Sequence, residues 1–291
     1  MTTEFHLFLP QMRMTPDVLA ARAQAAEAAG FHGIALMDHL WAPMAEHQAA
    51  YEAMVTATFL AARTTTLTIS HLVLCDSFRH PVQLAKEAIT LDHVSGGRFE
   101  LGIGWGSVPT ELDATGIGAQ PKVRVARLRE SLELLRAAFA GEALDHDGEH
   151  FTVHAPPLAP TPLDRIPIVI GGAGPRTLEL AEYADWWNVP IYALHKLGAI
   201  RDQVGVPVST QQMVTLVRPD HDRAEVEALV EKRFRGMRPI VGDAAELTAH
   251  YEEQVAAGVS RFYVWLSDFA EPATLEHFGA EIITRLAPTG S

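Results

Sequence analysis

The stretch PIVIGGAGPRTLELAEYADWWN, Pro167–Asn188, decides the predicted fold. It starts with the all-apolar run Ile168–Ile170, which is typical of a parallel strand covered on both faces. A glycine-rich turn follows at Gly171–Gly174, where missing Cβ atoms would let a ligand lie against the backbone. Pro175 fits the first turn of a helix, where its missing N–H has no cost. The stretch therefore predicts a strand, a turn, a helix and the start of another strand.

The same turn is a candidate anion site. A helix N-terminus has unpaired N–H groups and a positive dipole end, which favour a phosphate or a carboxylate, and Arg176 adds a formal charge there. A tight connection that binds nothing gives the same pattern, so the turn needs support from other parts of the chain. The candidate residues are Gly171, Gly172, Ala173, Gly174, Pro175 and Arg176.

Strand-like and helical patterns alternate along the whole chain. The first four predicted strands recur about every 30 residues, the length of one βα unit. The predicted strands are Phe5–Leu9, Ile34–Met37, Leu67–Leu74, Arg98–Ile103, Ile168–Ile170, Trp187–Pro190, Gln212–Val217 and Phe262–Leu266. The predicted helices are Pro16–Ala29, Tyr51–Arg63, Pro81–Val94, Arg124–Ala140, Ala224–Arg235 and Ala244–Ala257.

This rhythm predicts the α/β class and a (β/α)₈ TIM barrel, with residues 1–291 forming one domain. The segment Glu142–Ile166 is rich in Pro, His and Asp and breaks the rhythm. It is predicted to be an insertion before the fifth strand, as a loop or a short hairpin. An open doubly wound sheet is the alternative, but its dinucleotide-binding form carries a GxGxxG sequence that does not follow the first strand here.

Composition and charge exclude several classes of partner. The net charge of −13 argues against nucleic acid and against an anionic membrane surface. No apolar run reaches the ~18 residues of a membrane helix, and the N-terminus lacks a signal-peptide pattern. The one cysteine, Cys75, lies in an apolar run and cannot form an intrachain disulfide. We therefore expect a buried thiol in a protein of the cytoplasm.

In a barrel, functional residues belong at the carboxyl ends of the strands. The second strand is followed by DHLWAP, Asp38–Pro43, where a carboxylate adjoins an imidazole that titrates near neutrality. We interpret His39 as a proton donor or acceptor; the alternative is a turn-capping Asp38 beside a surface histidine. The fourth strand is followed by GIGWGS, Gly102–Ser107. Its glycines either let a flat ring approach the backbone or serve barrel packing.

Two further features have structural alternatives. His71 lies within the otherwise apolar third strand, which indicates a special role or a hydrogen-bonded core histidine. A basic cluster in an acidic chain either binds an anion or forms a solvated helix face with Glu130 and Glu133 as partners. The cluster comprises Lys122, Arg124, Arg127, Arg129 and Arg136. The sequence has no zinc-ligand spacing, P-loop or GxSxG motif, and no metal site is predicted.

Taken together, these segments resemble the bacterial luciferase-like monooxygenase superfamily, especially its deazaflavin-dependent branch. The resemblance covers roughly residues 5–188 and depends on the combination of its pieces. The resembling segments are DHLWAP (Asp38–Pro43), SFRHPVQLAKEAITLDHVSGGRFELGIGWG (Ser77–Gly106) and GGAGPRTLELAEYADWWN (Gly171–Asn188).

The resemblance implies a barrel that holds FMN or coenzyme F420 at the strand ends. It implies a non-prolyl cis peptide at His71–Leu72, or one bond later, backing the ring, and a phosphate near Gly172–Arg176. It also implies a homodimer. The apolar helix Tyr51–Arg63 suits such an interface, and burial against neighbouring barrel helices explains its composition equally well. The residues expected around the ring are His39, His71, Leu72, Gly104, Trp105, Gly106 and Ser107.

The chain also departs from the family pattern. Relatives similar to luciferase place an arginine for the flavin phosphate where this chain has Trp105, which favours F420 over FMN. Deazaflavin-dependent sugar-phosphate dehydrogenases place a catalytic glutamate where this chain has Ser107, which argues for another substrate; Glu111 is a nearby replacement. Arg176 and the cluster Lys122–Arg127 are the candidates for the oligoglutamate tail of F420.

These observations predict an oxidoreductase that uses F420 for hydride transfer to or from a small organic substrate. His39 is expected to act as acid or base, held by Asp38, while Trp41 and Trp105 wall the substrate pocket. The loops Ala42–Ala50 and Glu142–Ile166 are expected to shape specificity. The alternatives are an FMN-dependent monooxygenase and a cofactor carrier without activity.

Overall fold

A parallel barrel forms the centre of the computed structural model, which describes residues 3–43, 45–234, 236–237 and 239–287. Its strands begin and end close to the predicted apolar runs. They are β1 (Glu4–Phe8), β2 (Gly33–Leu36), β3 (Thr68–His71), β4 (Leu74–Cys75), β5 (Leu101–Gly104), β6 (Leu144–Asp147), β7 (Thr152–Ala155), β8 (Ile168–Gly171), β9 (Trp186–Val189), β10 (Val208–Leu216), β11 (Ile240–Gly242) and β12 (Val259–Leu266).

Helices alternate with these strands and pack around them. Typical end signals define several, such as Thr15 and Pro16 at the start of the first helix and Gly96 in left-handed geometry after the third. The helices are α1 (Pro16–Ala28), α2 (Ala53–Ala61), α3 (Pro81–Ser95), α4 (Pro109–Ala114), α5 (Pro121–Phe139), α6 (Pro175–Leu178), α7 (Leu197–Val204), α8 (Arg223–Arg233), α9 (Ala244–Ala256), α10 (Pro272–Phe278) and α11 (Thr284–Leu286).

The barrel closes through eight parallel strand positions, the third of which is formed by β3 and β4 together. Around the ring the strands follow the order β1, β2, β3 with β4, β5, β8, β9, β10 and β12, and β12 pairs with β1. The third position contacts β5 twice: the Ile69 N–H donates to the Arg98 carbonyl at 2.9 Å, and β4 pairs with β5 further along the strand. The short β11 pairs with β10 outside this ring. The predicted (β/α)₈ barrel is therefore confirmed.

The third strand of the barrel differs from the continuous strand predicted at Leu67–Leu74. It is split into β3 and β4 by a non-prolyl cis peptide between Leu72 and Val73, the later of the two expected bonds. The facing strand β5 lies very close to this bulge: a Cβ on Gly102 would lie 1.7 Å from the His71 carbonyl oxygen. Gly102 therefore serves barrel packing, which was the structural alternative for the GIGWGS glycines.

The insertion Glu142–Ile166 forms the expected hairpin, with β6 and β7 antiparallel. Glu130 on α5 holds it, because its carboxylate accepts the N–H groups of residues 149, 150 and 151. The prediction that Glu130 partners the basic residues of its own helix is therefore wrong. Those residues reach other elements: Arg127 pairs with Asp76, and Arg136 with Asp185.

The helix predicted after the glycine turn is short. α6 is a single turn that continues as a 3₁₀ segment at Glu179–Tyr183. Later in the chain, β10 and β12 start before the predicted strands, α8 ends at Arg233, and Arg235 lies outside the described residues. Within the described ranges, no helix has both the length and the apolar character to cross a bilayer.

Inward-facing side chains fill the barrel in layers. At the amino end of the strands Arg261, which is 3% exposed, bonds the Glu100 carboxylate at 2.6 Å and the Glu4 carboxylate at 2.7 Å. Its guanidinium also lies 3.9 Å from the ring centroid of Trp186. This ionic layer fills the centre of the barrel at the amino end of the strands.

Candidate active site

A cleft of about 270 Å³ opens at the carboxyl ends of the strands, where barrel enzymes place their sites. It is lined from the ends of β2, β4, β5, β8, β9 and β10. Most of the predicted site residues meet here although they come from distant parts of the chain. Those in the cleft wall are Asp38, His39, Leu72, Gly104, Trp105, Gly106, Ser107, Gly171, Gly172, Ala173 and Gly174.

Three predicted ligand residues do not line this cleft. His71 follows the alternation of β3, so its side chain faces the helices and is fully buried. Burial lowers the pKa of its ring to about 4, which makes it a neutral core histidine. Pro175 and Arg176 lie just beyond the wall, and Arg176 is exposed.

His39 is held by Glu111, not by Asp38. The Nδ1 atom of His39 lies 3.0 Å from Oε2 of Glu111, and the other oxygen of that carboxylate accepts the N–H of Leu40. Glu111 is 3% exposed and belongs to α4, which begins at Pro109 beyond the glycines of β5. The carboxylate fixes the ring orientation and can select its tautomer. His39 therefore presents its other nitrogen, Nε2, for proton transfer.

Asp38 has a different partner, so the prediction that it holds His39 is wrong. Its Oδ2 accepts the N–H of Cys75 at 2.7 Å, and both its oxygens bond the Arg79 guanidinium, at 2.5 and 3.0 Å. Both residues lie beyond the end of β2, and their side chains pair with different parts of the structure. Asp38 instead fixes the end of β4, which supplies one side of the cleft.

Trp105 lies between two parts of the wall. Its indole Nε1 donates to Thr177 Oγ1 at 3.1 Å, and the Arg124 guanidinium lies 4.7 Å from its ring centroid. Arg124 is 4% exposed and donates to the Gly106 carbonyl at 3.0 Å. Arg124 therefore holds this part of the cleft wall in place. It is too buried to bind the oligoglutamate tail of F420, for which the cluster Lys122–Arg127 was a candidate. Trp41 and the loop Ala42–Ala50, of which Met44 lies outside the described residues, do not line the cleft.

The glycine turn presents bare backbone to the cleft. Trp187 Nε1 donates to the Gly172 carbonyl at 3.0 Å, and Gly172 N–H donates to the Asn188 carbonyl at 3.1 Å. In the described part of the chain the N–H groups of Ala173 and Gly174 have no internal acceptor. A Cβ on Gly174 would meet only Thr177 Oγ1, at 3.7 Å. The turn thus has both the space and the donors that a phosphate needs.

Some wall residues were missed by the sequence analysis. Asn188 and Gln211 line the cleft from β9 and β10, and Asn188 donates to Ser209 Oγ at 3.2 Å. A polar side chain at the end of an apolar strand is a signal that would have found Asn188. Tyr192 lines the cleft but gives no such signal, because it lies beyond the strand, in the 3₁₀ helix Ile191–Lys196 that follows β9.

Two other expectations concern the surroundings of the cleft. Cys75 is buried as expected, and burial raises the pKa of its thiol to about 11, so it stays neutral and unreactive. The hairpin of the insertion packs on the helices: Arg127 lies 4.8 Å from the ring of Phe151. No described residue of 142–166 lines the cleft, so the insertion has no direct contact with it.

Comparison with known proteins gives three kinds of similarity. Residues 2–204 match the model of a family described as luciferase-like monooxygenase. An F420-dependent glucose-6-phosphate dehydrogenase of Nakamurella multipartita is 33% identical over 169 residues, 57% of this chain and 49% of that protein. An F420-dependent hydroxymycolic acid dehydrogenase of Mycobacterium tuberculosis is 32% identical over 175 residues, 59% and 48% of the two chains. The chain thus spans about half the length of these curated relatives.

The fold has clear counterparts among solved structures. An F420-dependent secondary alcohol dehydrogenase, solved in complex with an F420–acetone adduct, superposes with a TM-score of 0.80. The superposition covers 97% of this chain and 98% of that one at 20% sequence identity, which is similarity of fold alone.

Proposed function

The chain belongs to the luciferase-like monooxygenase family, and on this premise we propose that it is an oxidoreductase that uses coenzyme F420 and a small organic substrate. The proposal rests on His39, whose Nδ1 lies 3.0 Å from Glu111, and on the glycine turn in the same cleft. Among the described residues, the N–H groups of Ala173 and Gly174 in this turn have no acceptor. The first can move a proton and the second can hold a phosphate. F420-dependent relatives over the matching half of the chain support this assignment.

Each part of the cleft has a role in this proposal. Ala173 and Gly174 would hold the cofactor phosphate through their backbone N–H groups, and Leu72 and Val73 would contact its ring. The bound deazaflavin supplies hydride transfer. His39 takes the proton of a substrate hydroxyl through Nε2, or returns it to a carbonyl, while Glu111 holds Nδ1. Asp38 keeps the β4 wall in place through Arg79 and has no direct part in proton transfer.

The choice of F420 over FMN depends on Trp105. The family resemblance puts a phosphate-binding arginine at this position in FMN-dependent members, and here an indole donates to Thr177 instead. We test the choice by titrating the purified protein with F420 and with FMN and following fluorescence. F420 is expected to bind at least tenfold more tightly. Tight binding of FMN with no binding of F420, and oxygenation driven by reduced FMN, would identify the monooxygenase alternative.

Replacing His39 distinguishes an enzyme from a cofactor carrier. His39→Ala is expected to lower kcat by roughly 100-fold or more, the contribution of a general acid or base, while F420 affinity changes little. His154→Ala, in the exposed part of the hairpin, is the matched control and should keep full activity. If His39→Ala keeps normal turnover, His39 is not the proton-transfer residue.

Assembly and location complete the proposal. We infer a homodimer that uses α2, because Val55 in the first turn of this apolar helix is 71% exposed. Light scattering should then give twice the chain mass of 31.8 kDa, and Val55→Asp should return the monomer. A single unpaired cysteine, Cys75, fits the reducing cytoplasm, and fractionation of cells tests this location.

A further inference from the structure

The segment 76–79 connects β4 to α3 and is held from outside the barrel by Arg127 of α5. The Arg127 guanidinium donates to the Asp76 carbonyl at 2.7 Å, to the Asp76 carboxylate, and to the Arg79 carbonyl at 2.8 Å. Asp76 is 1% exposed, so this charge-assisted contact lies in a desolvated environment. Arg127 therefore fixes both the backbone and a carboxylate of the segment.

The other side of the same segment belongs to the cleft wall. Cys75 and Phe78 line the cleft. Arg79 bonds both oxygens of the Asp38 carboxylate, and that carboxylate also accepts the Cys75 N–H at 2.7 Å. A movement of the segment would thus displace two wall residues and break the contacts that hold the end of β4.

The insertion hairpin, formed by β6 and β7, packs on Arg127. The Arg127 guanidinium lies 4.8 Å from the ring centroid of Phe151, which is 8% exposed, and the His80 ring packs edge-on against the same ring at 5.4 Å. Glu130, one turn further along α5, accepts the Phe151 N–H at 3.0 Å. A guanidinium that stacks on a buried ring and donates to two carbonyls has little freedom to move.

We propose that Arg127 is a positioning residue for the cofactor site, and that the insertion hairpin acts on this site through Arg127 without contacting the cleft. The inference depends on the proposed function only for the identity of the cofactor. Removal of the guanidinium leaves the Asp76 carboxylate buried without a counter-charge, which a folded protein relieves by moving the charge toward water. The segment 76–79 should then open locally, and the affinity for the cofactor should fall.

The thiol of Cys75 reports this opening without any cofactor, because the chain has a single cysteine. The thiol is buried and its pKa is raised to about 11, so its reaction with DTNB requires the wall to open. In Arg127→Met we expect labelling to be about tenfold faster or more, at a rate nearly independent of urea below the unfolding transition, since a local opening exposes little surface. Phe151→Leu removes only the aromatic face under the cation and should accelerate labelling by about threefold.

Arg136→Met is the matched control. Arg136 also lies on α5 and also bonds one carboxylate and one backbone carbonyl, those of Asp185 and Tyr183. Asp185 accepts the N–H of Ile168 at the start of β8, so this pair lies at the amino end of the strands. Its loss should leave the labelling rate within about twofold of the parent. Equal acceleration in both arginine variants, or a rate that rises with urea like global unfolding, would overturn the proposal.

F420 titration then measures the consequence for the site. Arg127→Met should raise the Kd for F420 by about tenfold or more, whereas Arg136→Met should leave it within about twofold. Weaker F420 binding with an unchanged labelling rate would show a direct contact of Arg127 with the anionic tail and would contradict the positioning role. Unchanged F420 affinity in Arg127→Met would also contradict it. If the parent protein does not bind F420, the proposed function fails separately, because the labelling comparison needs no cofactor.

Discussion

At the scale of single residues, the chemistry depends on a pairing that is remote in sequence. His39 and Glu111 are 72 positions apart, whereas the obvious neighbour of His39, Asp38, faces Arg79. The sequence identified the histidine through its position at a strand end. It could not identify the partner, because which carboxylate reaches an imidazole depends on how α4 lies over the barrel.

Glu111→Gln tests this pairing. The glutamine amide has the same shape as the carboxylate, and its oxygen can still accept the N–H of Leu40. It lacks the negative charge that favours a proton on Nδ1 of His39. We expect kcat to fall by about 10- to 100-fold with KM and F420 affinity changed less than threefold, as for a residue that orients a catalytic group. Steady-state kinetics and F420 titration measure both quantities. An unchanged kcat would show that the role of Glu111 is limited to accepting the N–H of Leu40.

Gly174→Leu tests the glycine turn without disturbing the fold. Gly174 has φ of −83°, which any residue adopts, and its added side chain would enter the cleft beside Thr177. We expect the thermal midpoint to change by less than about 3 °C and F420 affinity to fall by more than tenfold. Calorimetry and fluorescence titration measure the two effects. Undiminished affinity would remove the turn from the cofactor site.

At the scale of elements, the apolar runs located the barrel strands, whereas the break between β3 and β4 was expected only from the family resemblance. Short apolar runs predict parallel strands that are covered on both faces, and all eight predicted runs overlap barrel strands. The interruption at Leu72–Val73 has no local signal, because both residues are ordinary apolar strand formers. Its signal lies in the facing strand, where Gly102 and Gly104 leave room for the bulge.

Gly102→Ala measures how tightly these two elements fit. A Cβ would lie 1.7 Å from the His71 carbonyl oxygen, so backbone must move, and we expect a loss of about 3 kcal/mol or more in the free energy of unfolding. Gly198→Ala is the control: it lies in α7 with no heavy atom near the added Cβ, and helix propensity favours alanine by up to about 1 kcal/mol. Equal urea midpoints for the two variants would contradict this account.

At the scale of the whole molecule, two buried histidines make stability depend on pH. Burial, assisted by Arg261, lowers the pKa of His6 to about 4, and burial lowers that of His71 to about 4. Both rings are neutral in the folded state, whereas in the unfolded chain they protonate near the ordinary value of 6.5. The unfolded state therefore binds more protons between pH 6.5 and 4. Their stabilising contribution is complete above this window and is lost as pH falls through it.

We expect the free energy of unfolding to fall by about 1.4 kcal/mol per pH unit for each of these histidines below pH 6.5. The His71→Leu variant lacks one of the two histidines. The part of the pH dependence of the unfolding free energy that the two histidines contribute should therefore fall to half. Urea unfolding at pH 7.0, 6.0 and 5.0 gives the slopes. A variant with the same slope as the parent would exclude His71 as a contributor.

The closure of the barrel also has a consequence for folding during synthesis. Glu4 on β1 pairs with Arg261 on β12, a separation of 257 positions. The first strand therefore remains an open edge until nearly the whole barrel has left the ribosome, and contacts of such separation form slowly. We expect nascent chains that stop before Val259 to stay sensitive to protease and to engage chaperones, and chains that include β12 to become resistant.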